Sequence, residues 1–109
     1  MALPLVYSDG ALLVLDKPSG LLSVPGRGED RQDCMSRRAQ QQFAQAQIVH
    51  RLDMGTSGLL LMALGLDVQR VLQRQFALRQ VQKGYLAIVQ GVPAVEPMPV
   101  SYTYLRAQE

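Results

Sequence analysis

The chain has 109 residues, 48% hydrophobic and 18% charged, a composition that fits one packed domain and excludes an intrinsically disordered chain. Eleven Lys and Arg against nine Asp and Glu leave a net charge of +2, compatible with an RNA partner without demonstrating one. A single cysteine, Cys34, excludes a disulfide framework and a multi-cysteine zinc site, and no apolar run approaches the roughly 20 residues that span a bilayer. A cytoplasmic, membrane-free setting is expected.

In chain order, Val6-Tyr7 leads into the turn signal Ser8-Asp9-Gly10, and Ala11 to Asp16 is an apolar, β-compatible run, so the spacing predicts a β-hairpin. Leu21 to Asp33 carries Pro25, Gly26 and Gly28 among charges and reads as a surface loop. Met35 to Gln45 lacks Gly and Pro and is rich in helix formers, which predicts a short helix. Ile48 and Val49 begin a short extended piece that delivers His50-Arg51-Leu52-Asp53, and a polar, Gly-containing loop follows. Leu59 to Ala63 is a continuous apolar run bounded by glycines, the pattern of a strand buried on both faces. Asp67 can cap a helix on which Val68, Val71, Leu72, Phe76 and Leu78 form an apolar stripe, with Arg70, Arg74 and Arg79 largely elsewhere. Tyr85 to Gln90 reads as a last strand, stopped by Gly91 and Pro93. The expected class is α+β, a mixed and mainly antiparallel sheet with flanking helices.

Chemistry concentrates in His50-Arg51-Leu52-Asp53-Met54-Gly55-Thr56-Ser57-Gly58, where one carboxylate sits in a loop between two apolar extended segments. Loops held by a rigid scaffold commonly bear catalytic groups, and Arg51 can help keep Asp53 ionised. Spacing alone favours a plainer reading, in which Asp53 merely closes a turn through Thr56 or Ser57. Likewise an isolated Tyr85 is an ordinary strand aromatic, and Arg70, Arg74 and Arg79 are a solvated helix face.

The run His50-Arg51-Leu52-Asp53, then Thr56-Ser57-Gly58-Leu59 and further apolar residues, closely resembles the catalytic motif of the RluA family of pseudouridine synthases. Asp16-Lys17-Pro18-Ser19-Gly20-Leu21-Leu22-Ser23-Val24-Pro25-Gly26 resembles the family's preceding strand and loop. Lys83-Gly84-Tyr85-Leu86-Ala87-Ile88-Val89-Gln90-Gly91 is similar to its tyrosine-bearing strand. The resemblance covers Val6 to Gly91, and Ser23 to Arg27 with Arg74-Gln75-Phe76 look most like the RluA branch, whose substrates are transfer RNA and large-subunit ribosomal RNA.

The resemblance implies an isomerase that converts uridine to pseudouridine without a cofactor. Asp53 would be the catalytic carboxylate, Tyr85 would lie against the uracil, and Arg51 would help hold the target nucleotide out of its stack. His50 would either bond phosphate or satisfy the loop backbone, and Lys17 and Arg27 are candidate phosphate contacts. A monomer is expected. A catalytically silent RNA-binding module remains the alternative.

The family's catalytic domain runs about twice as far as this chain, and Pro99 to Glu109 does not continue its pattern. The expectation is therefore a fragment, residues 1–98 of catalytic-domain character and 99–109 a non-native or disordered tail, inactive or nearly so by itself.

Overall fold

The computed structural model describes residues 2–86. Four strands, β1 (Leu5–Ser8), β2 (Leu12–Lys17), β3 (Ala46–Ile48) and β4 (Gly58–Leu64), form one sheet in the order β1-β2-β4-β3, every neighbouring pair antiparallel. Two helices, α1 (Met35–Gln42) and α2 (Leu66–Ala77), accompany it, so the architecture is the α+β one expected.

The opening hairpin forms because Asp9 organises its own turn. Its Oδ1 accepts the N–H groups of Ala11 (2.7 Å) and Leu12 (2.9 Å), and Oδ2 accepts the Tyr7 hydroxyl at 2.7 Å. Such side-chain bonds replace backbone pairing where the chain reverses. β2 then runs the full length of β4, from Leu12 opposite Ala63 to Lys17 opposite Gly58.

This register places Leu13 opposite Met62 and Leu15 opposite Leu60 on one face, where all four are fully buried with Met35 and Ala39 of α1. Truncating one of the leucines to Ala costs about 2–5 kcal/mol in such a setting. The alternate residues of β4 behave differently: Leu59 is 57% exposed and Leu61 half-buried. The both-faces burial expected of this strand is thus corrected. One face makes the core and the other walls a cleft.

Helix α1 stops at Gln42, three residues before the expected Gln45, because Phe43 leaves helical geometry to pack on the core and its carbonyl accepts the Ala46 N–H that opens β3. Asp67 is not the cap of α2: Gly65 is, at φ 110, a backbone that only glycine adopts without strain. Asp67 sits instead in the first turn, where its charge complements the helix dipole. The stripe on α2 is also narrower than its spacing suggested, with Val68, Leu72 and Phe76 partly covered but Val71 and Leu78 each 57% exposed. α2 ends in a Schellman arrangement, Arg79 N–H to Phe76 carbonyl and Gln80 N–H to Gln75 carbonyl, with Arg79 itself at φ 57. The supposed surface loop from Leu21 to Asp33 contains a short 3-10 turn, Glu29–Arg31. Of the expected last strand, Tyr85 and Leu86 lie outside any strand, and the remainder falls outside the described residues.

Candidate active site

Asp53 occupies the first position of a tight turn between β3 and β4, closed by the Thr56 N–H donating to the Asp53 carbonyl at 3.0 Å. The turn is closed through the backbone carbonyl of Asp53, and the residue itself is exposed.

Neighbouring segments hold this turn rigidly in place. Ser23, 3% exposed, donates its hydroxyl to the Leu52 carbonyl at 2.7 Å and accepts the Leu52 N–H at 3.0 Å, pinning both backbone groups of the residue before Asp53. On the other side, the Met54 carbonyl accepts the Gly20 N–H at 2.7 Å and the Gly55 carbonyl accepts the Ser19 hydroxyl at 2.8 Å. The Pro18-Ser19-Gly20 segment is therefore a brace for the Asp53 turn.

Lys17 forms the centre of that brace. Its side chain is fully buried and Nζ donates to the carbonyls of Leu21 (2.6 Å), Pro18 (3.1 Å) and Met54 (3.2 Å). An ammonium has three donors, and all three are spent on the protein. Burial lowers the Lys17 pKa, and the negative charge of nearby Asp53 partly opposes that shift. The expectation that Lys17 contacts an RNA phosphate is corrected accordingly: it supports the loop and lies within electrostatic reach of Asp53.

His50 is also committed to the framework. β3 ends at Ile48, and the Leu61 N–H beyond that end donates to His50 Nε2 at 3.0 Å, the imidazole standing in for a ladder carbonyl. The ring stacks on Phe76 of α2 with centroids 4.7 Å apart and planes 16° from parallel. Burial, reinforced by the positive charge of Lys83, pushes its pKa down to about 4. A neutral imidazole with Nε2 occupied is not a cationic phosphate contact, so of the two roles weighed for His50 the structure supports the backbone one.

These parts enclose a cleft of about 640 Å³. The Asp53 turn and β4 contribute Leu52, Gly55, Thr56, Ser57, Leu59 and Leu61 to its lining. Phe76 and the 81–86 segment contribute the rest, including Tyr85, which also packs on the core. Asp53 itself is exposed and is not among the lining residues; the cleft is lined by Leu52 before it and by Gly55 to Gly58 after it. Tyr85 and the Asp53 turn, far apart in sequence, thus meet at one cavity. Arg51 and Arg27 are both exposed and neither lines it. Sequence reasoning missed Ser23 and Phe76 as parts of this site, since a serine in a Leu-Leu-Ser-Val run and an aromatic on a helix carry no spacing signal.

A braced turn bearing Asp53 and a tyrosine-bearing segment line one cleft on an antiparallel sheet, and the sequence places that arrangement in a known class. Residues 11–107 match the family of RNA pseudouridylate synthases, and the chain belongs to it. Within the family it is similar to the dual-specificity RNA pseudouridine synthase RluA of Escherichia coli (strain K12), 48% identical over 92 residues, 84% of this chain and 42% of that protein. The RluA proteins of Yersinia pestis (48% over 86 residues) and Haemophilus ducreyi (45% over 86 residues) are similar as well. The chain spans about two-fifths of the length of these curated relatives. Among solved structures, human RNA pseudouridylate synthase domain containing 4 superposes with a TM-score of 0.54 at 27% identity, over 70% of this chain and 30% of that one. No helix among the described residues is long and apolar enough to cross a membrane.

Proposed function

We propose that this chain carries the catalytic carboxylate of an RNA pseudouridine synthase, converting uridine to pseudouridine with Asp53 as the essential group. The observation that carries the reading is the shared cleft between the Asp53 turn and Tyr85. In the isomerisation the N1–C1′ bond breaks, the uracil turns, a C5–C1′ bond forms, N1 gains a proton and C5 loses one; no redox partner or cofactor is consumed. Asp53 attacks the base, attacks the sugar or removes a sugar proton, and these routes need it ionised and within reach of the ribose or the base. Tyr85 stacks on the uracil, while exposed Arg51 and Arg27 reach for the RNA around a flipped nucleotide.

The RluA relatives are named as dual-specificity enzymes, which supports transfer RNA and large-subunit ribosomal RNA as the substrate class here. We place the activity in the cytoplasm and in a monomer. Recapture of a detached uracil needs shelter from water, and Asp53 is exposed, so these 109 residues alone turn over little RNA. Tritium release from RNA containing 5-tritiated uridine tests the reading, because only loss of the C5 proton frees the label. Release by the 109-residue chain as fast as by a complete relative counts against the shelter argument. RNA binding with no release, even within a complete enzyme, favours the silent binding module.

A further inference from the structure

We propose that Lys83 is a phosphate contact of the cleft, holding the backbone of the RNA strand whose uridine enters it. This deepens the RNA reading of the same cleft and rests on it.

Three observations meet at this residue. Among the described residues lining the cleft, Lys83 is the one of Lys, Arg, Asp or Glu type, and His50, the other basic side chain there, has its pKa pushed down by burial. The Lys83 ammonium lies 5.3 Å from the centroid of the Phe76 ring, a cation–π distance that fixes where the charge stands. Its field reaches His50, which stacks on the same Phe76 ring and also lines the cleft.

The division of labour among the basic side chains then becomes clear. Lys17, the basic group nearest Asp53 in the brace, has spent its donors on three carbonyls, and Arg51 and Arg27 stand outside the cavity. The rest of the wall is largely apolar and neutral: Leu52, Leu59, Leu61, Phe76, Thr56 and Ser57. Such a wall accepts a base by contact and gives its charged backbone no partner. A compact ammonium on a four-carbon stem, two residues before Tyr85, supplies that partner next to the ring that stacks on the base.

The experiment measures binding of a short RNA stem–loop with uridines in its loop to the whole 109-residue chain across a salt series, for the wild type, Lys83→Gln and Lys83→Arg. Loss of one phosphate contact lowers the slope of log K against log salt by about one. The wild type's advantage over Lys83→Gln therefore shrinks roughly threefold to fourfold between about 50 and 200 mM salt. Lys83→Arg keeps the wild-type slope. NMR titration of His50 provides an independent check, with its pKa rising in Lys83→Gln because a neighbouring positive charge is gone. An unchanged salt slope in Lys83→Gln, with RNA still bound, overturns the assignment to Lys83 and leaves the RNA reading standing. Failure of the wild type to bind RNA at all overturns both.

Discussion

Replacing Ser23 by alanine removes one oxygen that serves two backbone groups of Leu52, and the magnitude follows from their burial. Ser23 is 3% and Leu52 7% exposed, so water cannot take the hydroxyl's place. Losing the bond to the Leu52 carbonyl costs about 1 kcal/mol, and leaving the Leu52 N–H buried without an acceptor adds about 1–3 kcal/mol. The sum of about 2–4 kcal/mol lowers the urea midpoint on the order of 2 M for a chain of this size. Ser19→Ala is the control: it deletes the same group, at 2.8 Å from the Gly55 carbonyl, but in the open, where water replaces it for less than about 1 kcal/mol. Equal losses for the two variants in urea melts would refute the claim that the Leu52 clamp holds the Asp53 turn.

Lys17→Met leaves the Pro18, Leu21 and Met54 carbonyls without their donor and destabilises by about 2–4 kcal/mol; Lys17→Arg also destabilises, because a planar fork cannot serve three converging acceptors. Either variant matching the wild type in urea would contradict the brace. The folded pKa of His50, about 4, lies below its unfolded value of 6.5, so the unfolded chain binds the extra proton in that window. Stability is therefore fully present above pH 6.5 and is lost as pH falls toward 4, at up to about 1.4 kcal/mol per pH unit. His50→Gln flattens this dependence in urea melts run across the window. Arg79→Gly relieves a left-handed backbone at the end of α2 and stabilises by about 0.5–1 kcal/mol, read as a higher melting temperature.

What was legible in the sequence was what local pattern controls. Alternation along Ala11 to Asp16 and the Asp9-Gly10 turn specified the hairpin, and the apolar run at Leu59 to Ala63 marked the central strand. Misreadings arose where a distant partner decides the outcome. Phe43 ends α1 early because the core draws it in, and Gly65 rather than Asp67 starts α2 because β4 continues to Leu64. Within the site, the motif pointed to Asp53 and Tyr85; Tyr85 lines the cleft with Leu52 and Gly55 to Gly58, and Asp53 itself does not. Lys17, in a polar Asp-Lys-Pro-Ser-Gly stretch, looked like a surface cation; its burial depends on Met54, 37 residues away, which no local pattern encodes. The neutrality of His50 likewise rests on Phe76 and Lys83, both supplied from beyond β4.

Residues 11–86 can be grafted in place of the matching segment of the Escherichia coli relative, and tritium release from 5-tritiated uridine RNA then measured with and without Asp53→Ala. The graft is expected to release the label, and Asp53→Ala to abolish release by roughly a thousandfold or more while RNA binding persists. Undiminished release from the alanine variant would contradict the assignment of the chemistry to this carboxylate.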